Sequence, residues 1–186
     1  HYVELDQFVG ANHLVTVHGP LSPSVNPAVA VADTGNVLQR LDRGDIHPGT
    51  PMELAYSIAS TLARREIDLV ATLARESGRL EQQVTDEDRN DDPEALLEDL
   101  FEVGHQLLAI RTMATHSAET FRGMAKRVRS VPDHERHVID DLADRFEMVR
   151  SMADGQKEFL HGVIEFYQTR TSTHMTLAAE TLATIS

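Results

Sequence analysis

Leu142-Ala-Asp-Arg-Phe146-Glu-Met-Val149-Arg-Ser-Met-Ala153-Asp-Gly-Gln156-Lys-Glu-Phe-Leu160-His-Gly-Val163-Ile-Glu-Phe-Tyr167 decides the fold. Leu142, Phe146, Val149, Ala153, Gln156, Leu160, Val163 and Tyr167 recur at spacings of four and three, which puts them on one face of a helix. The stretch lies in a run of 54 residues, from Asp133 to Ser186, without a proline. A single helix of that length would extend roughly 70–80 Å, far more than a small globular core requires. Its last part is therefore expected to project or to pack on other copies of the chain.

Two more long helices precede it. Thr50-Pro51-Met52-Glu53 is a capping box with proline at the first helical position. From there to about Asp88, Leu54, Ile58, Leu62, Leu69, Leu73, Leu80 and Val84 form an apolar stripe. Asp92-Pro93-Glu94 opens the next helix by the same logic, and Leu96, Leu100, Val103, Leu107, Ile110 and Ala114 carry its stripe. It is expected to end near Arg129, where Lys126-Arg-Val-Arg129 suits the negative end of the macrodipole.

The N-terminal part differs. Tyr2 to Val9 and His13 to His18 flank Gly10-Ala-Asn12 and predict a β-hairpin. Two strands alone are marginal, so they either lie on helices or are the remnant of a larger sheet. Asn26-Pro27 predicts a helix start, with a modest helix to Arg43 weakened at Gly35. The expected fold is mainly α (α+β): residues 1–49 as the C-terminal part of an α/β domain, and residues 50–186 as a bundle of long antiparallel helices ending in a stalk.

Composition narrows the function. There is no cysteine, which excludes a disulfide scaffold, a thiolate metal site and a cysteine nucleophile. There is no tryptophan, and acids outnumber bases by 30 to 17 for a net charge of −13. Nucleic acid is thus not expected as a partner, because phosphate binding needs a basic footprint, whereas cations suit such a field. Residues 7–32 carry no Asp, Glu, Lys or Arg, but Pro20, Pro23 and Pro27 interrupt them, so no membrane-spanning helix is expected there. The chain reads as soluble, with no signal peptide. No initiator methionine opens it, and the helical pattern stops at Ser186 without a cap, so a fragment of a longer protein is expected.

Catalytic signatures are absent: there is no Gly-x-Ser-x-Gly and no glycine-rich phosphate loop, and no enzyme is expected. Glu102/His105 and Glu158/His161 have the Glu-x-x-His spacing of a di-iron bundle. They lie off the apolar stripes, however, so surface positions are expected. His134, His137 and Asp141 share one helix face and could suit zinc. Asp140, Asp141, Asp144 and Glu147 form an oxygen-rich cluster of the kind that suits Mg2+ or Ca2+. Acids in the first turns of a helix also complement its dipole without any metal.

The sequence resembles a known family at its end. Glu165-Phe-Tyr-Gln-Thr-Arg-Thr-Ser-Thr-His-Met-Thr-Leu-Ala-Ala-Glu-Thr-Leu-Ala-Thr-Ile-Ser186 is similar to the stalk of the CorA family of divalent-cation channels. Asp6 to Gly19, Met52 to Val84 and Ile110 to Phe121 resemble successive parts of its cytoplasmic domain in the same order. The resemblance implies the cytoplasmic, ion-sensing part of a homopentameric membrane channel. It implies Mg2+ as the ion, with Zn2+ or Co2+ as further candidates, and membrane attachment only through helices beyond Ser186. By the same resemblance the interfacial metal-binding Asp falls on Asp141, with Asp140 adjacent, and the pore-lining positions fall on Thr176, Ala179 and Leu182. A further family acid falls on Ser60, a departure that bears on any multi-ion site. Two alternatives stand beside this reading: a ferritin-like di-iron bundle, and a helical adaptor without metal.

Overall fold

The computed structural model describes residues 4–19, 26–86, 93–127 and 133–185, with side chains described up to Thr173. Strands β1 (Glu4–Val9) and β2 (Leu14–Gly19) pair antiparallel, with Leu5 opposite His18 and Phe8 opposite Val15. Alternation turns Leu5, Gln7, Val9, Leu14, Thr16 and His18 to one face, and the Gln7 amide donates to the Ala55 carbonyl at 3.3 Å. The hairpin thus touches α3 (Pro51–Thr85), within the first of the two units described below.

Helix α1 (Pro27–Ala30) is one turn, and α2 (Ala32–Asp42) follows. The expected cap holds, since the Asn26 side chain accepts from the Ala28 amide at 2.9 Å. The expected single helix does not. It breaks at Val31, with φ −100° and ψ 3°, and Gly35 lies inside α2. Val29 and Val31 are β-branched and weaken the first turn, while α2 gains a buried contact through Val37, which is fully buried.

Helix α2 ends in a Schellman motif. The Gly44 amide donates to the Leu41 carbonyl (3.0 Å) and the Asp45 amide to that of Arg40 (2.8 Å). Gly44 has φ +74°, a region costly for a residue with a Cβ. Gly44→Ala is expected to destabilise the chain by about 1 kcal/mol, read as a fall in the thermal midpoint.

Helices α3 (Pro51–Thr85), α4 (Pro93–Arg127) and α5 (Asp133–Ile185) are the three long helices expected. At the start of α3 the Glu53 amide donates to Thr50 Oγ1 at 3.2 Å, as a capping box requires. The return bond is shifted by one residue: Glu53 Oε2 accepts from the Gly49 amide at 2.5 Å. The expected caps at Asp92 and the cations at Arg129 lie outside the described residues.

The buried line of α4 is the expected one, from Leu96 to Ala114, and it continues to Ala118. That of α5 runs from Ile139 and Leu142 through Phe146, Val149, Ala153 and Leu160 to Val163 and Tyr167, with Gln156 partly exposed. In α3 the expected Ile58, Leu73, Leu80 and Val84 are buried, whereas Leu54, Leu62 and Leu69 lie off the buried line. Met52, Ala55, Ala59, Ala63, Glu66, Val70, Leu73, Ser77, Leu80 and Val84 are buried at three- and four-residue steps, joined by Ile58. Leu69 is 45% exposed, and Leu54 and Leu62 are half-buried. Ala55, Ala59 and Ala63 thus hold seam positions in the first half of α3.

Two compact units result. One comprises His1–Glu66 and Thr115–Met148; the other comprises Ile67–Ala114 and Val149–Ser186. In the first, Phe121 and Phe146 stack with ring centres 5.7 Å apart, and Arg122 pairs with Glu147 at 3.2 Å. In the second, Arg111 pairs with Asp154, which also accepts from Arg150 at 3.0 Å. A Cβ on Gly104 would meet Leu160 at 3.4 Å, so this glycine marks a close approach of α4 and α5. As residue numbers fall from 111 to 104 on α4, their partners rise from 154 to 160 on α5, which makes the two helices antiparallel there. The Arg170 guanidinium donates to the Val84 carbonyl, one of the acceptors left free in the last turn of α3.

Candidate metal centre

Asp141 stands two turns into α5, on the flank of the buried line rather than in it. Its side chain is 46% exposed. Arg145, one turn later, donates from Nε to Asp141 Oδ2 at 2.6 Å, the i,i+4 pairing a helix favours. From α3, the Tyr56 hydroxyl donates to the same oxygen at 2.7 Å. The Arg145 guanidinium also lies over the Tyr56 ring, 5.8 Å from its centre. Partial burial pushes the Asp141 carboxyl up, but the hydrogen bonds from Arg145 and Tyr56 outweigh it and hold the group below the usual carboxylate range. The carboxylate is therefore charged at neutral pH and fixed in direction, with Oδ1 left for another partner.

The surrounding acids do not close around it. Asp140 and Asp144 are exposed, and Glu147 is held by Arg122. Among the described residues no three His, Asp or Glu side chains converge as a metal cage would need. Mg2+ takes one or two carboxylates and keeps several waters. Asp141 and Asp140 could supply that many carboxylates, and no third acidic or His side chain joins them among the described residues. His137 is exposed, and the side chain of His134 lies outside the described residues, as do those of Thr176, Ala179 and Leu182, whose backbone belongs to α5. Ser60 is half-buried, and its hydroxyl oxygen is enclosed without a hydrogen-bond partner.

The Glu-x-x-His pairs lie on the surface as expected. Glu102, His105, Glu158 and His161 are all exposed, and His161 faces Glu165 at 3.3 Å. They do not form a bundle-core di-iron site. Two open grooves of about 540 and 470 Å³ occur in the unit that holds Ile67–Ala114. The larger is spanned by the ion pairs of Arg79 with Glu76 (2.6 Å) and Asp99 (3.7 Å). The smaller is walled by Val84, Phe159 and Phe166.

Sequence reasoning singled out Asp141 but neither of the groups that hold it. Arg145 was readable from its i+4 spacing. Tyr56 lies 85 residues away, and no local pattern could reveal it.

A β-hairpin followed by three long helices, with an oriented surface carboxylate on the last of them, defines a mainly helical protein. The chain belongs to the CorA-like Mg2+ transporter family, whose model matches residues 1–186, the whole chain. Members of that family are transporters rather than enzymes. No curated protein matches the sequence. Among the described residues no helix is long and apolar enough to cross a membrane.

Proposed function

We propose that this chain is the ion-sensing and gating portion of a CorA-like divalent-cation channel. It lies on the cytoplasmic side, and α5 serves as the stalk towards the membrane-spanning part. The observation that carries the reading is the oriented, charged Asp141 on α5 in a chain matched throughout by the family model. One chain supplies one or two oxygen ligands there, so Mg2+, or Zn2+ or Co2+ in its place, bridges Asp141 and Asp140 to a neighbouring copy. Homopentamers formed in this way gather five chains of charge −13, and interfacial cations relieve the repulsion. An ion that binds the closed assembly better than the open one shifts the population towards closure. The pore positions Thr176, Ala179 and Leu182 belong to the same reading, with Leu182 at a hydrophobic constriction. Residues 1–49 then complete an α/β domain, and residues 50–186 form the bundle and stalk.

The test is a Mg2+ titration of thermal stability and sedimentation, with NaCl of equal ionic strength as control. At a hundredfold excess over Kd, Mg2+ is expected to stabilise the chain by about 2.7 kcal/mol, with a shift to larger species. Asp141→Asn is expected to abolish both effects. Arg145→Ala, which removes a positive charge beside the carboxylate, is expected to tighten Mg2+ binding about tenfold, or about 1.4 kcal/mol. Equal midpoints and equal sedimentation with Mg2+ and NaCl would refute the sensing role.

A further inference from the structure

Glu66 is the buried carboxyl group among the described residues. It occupies the seam of α3 between Ala63 and Val70 and is 7% exposed. One of its oxygens, Oε2, has no hydrogen-bond partner. An ionised carboxylate in such a place is costly unless paired. The guanidinium of the preceding residue is engaged elsewhere: Arg65 Nη1 lies 3.1 Å from Asp33 Oδ2, at the start of α2. That pair ties α2 to α3, one turn before the buried Val37. From β2, the His18 ring meets the Thr34 hydroxyl at 3.3 Å, so α2 also carries the hairpin. The charges that act on the Glu66 carboxyl are Arg65 from α3 and Asp33 from α2, with His18 the titratable group beyond Thr34.

We propose that Glu66 is a proton-operated latch on α2: while protonated it leaves Arg65 to Asp33, and when ionised it draws the guanidinium away and loosens α2 and the hairpin. The chemistry is a single proton leaving the carboxyl for solvent. Burial first, with Asp33 adding to it, raises the Glu66 carboxyl from its ordinary 4.5 to about 7 against the pull of Arg65. The folded chain therefore keeps this proton where the unfolded chain has lost it. Stability falls as pH rises from about 4.5 to about 7 and levels off above that. This inference does not depend on the ion-sensing reading, since Glu66 touches neither Asp140 nor Asp141 in sequence or by any hydrogen bond described.

Hydrogen exchange of the 186-residue chain tests it. Between pH 5.5 and pH 8, amide protection factors in α2, corrected for intrinsic rates, are expected to fall by on the order of tenfold. Glu66→Gln, which mimics the protonated group, is expected to hold them constant, and Glu66→Leu to do the same should the glutamine variant fold poorly. His18→Gln is expected to leave the wild-type fall in place. An unchanged wild-type protection factor, an equal fall in both Glu66 variants, or a fall abolished by His18→Gln would each overturn the latch.

Discussion

Phe146→Ala is expected to destabilise the chain by about 3–5 kcal/mol, and to lower its thermal midpoint by on the order of 10 °C. The side chain is 1% exposed, so its whole apolar surface is removed from water. Its ring stacks on Phe121 at 5.7 Å, with the two planes 10° apart. Truncation removes both the transfer free energy and the aromatic contact, and it leaves a cavity that helices joined at several other points cannot close. Circular dichroism melts would give the midpoint. Hydrogen exchange is expected to show the loss of protection in residues 115–127 and 133–148. A midpoint within 2 °C of wild type would mean that α4 and α5 are not joined there.

Leu160→Ala should have an effect of similar kind in the other compact unit, at about 2–5 kcal/mol. Leu160 is 2% exposed and approaches α4 where Gly104 leaves room for it. The cavity opens at a point where one helix has no side chain to fill it, which places the cost in the upper half of that range. Urea unfolding, read by the midpoint at constant slope, would measure it. Leu160→Met, which roughly conserves volume, is expected to cost less than 1.5 kcal/mol. If both variants unfold alike, loss of shape rather than loss of volume governs this contact.

Much of the fold was legible locally. The 3–4 spacing of Leu96 to Ala114 and of Leu142 to Tyr167 marks buried lines because only side chains at those steps share a helix face. Asn26, Thr50 and Pro51 announce helix starts because each satisfies or removes a backbone donor that a helix leaves free. The helix end expected at Arg43 is closed by a Schellman motif at Gly44, which the structure supplied. At the candidate site, Asp141 and Asp140 came from the resemblance, and the Tyr56 hydroxyl that orients Asp141 left no local trace in the sequence.

What the sequence by itself determined about this protein is its kind of structure: a hairpin, three long helices, the lines of α4 and α5, and a surface rich in acid. These follow from interactions within a few residues of each other. The tertiary structure decided what depends on the neighbours. It put Ala55, Ala59 and Ala63 in the seam of α3 and left Leu69 outside it, because which face of a helix is buried depends on what packs against it. It broke the helix at Val31 rather than at Gly35. It brought Tyr56 to Asp141 across 85 residues, and it buried Glu66 while the neighbouring Arg65 paired with Asp33. A carboxyl group's environment, and hence its charge, is set by what folds against it, and no spacing along the chain records that.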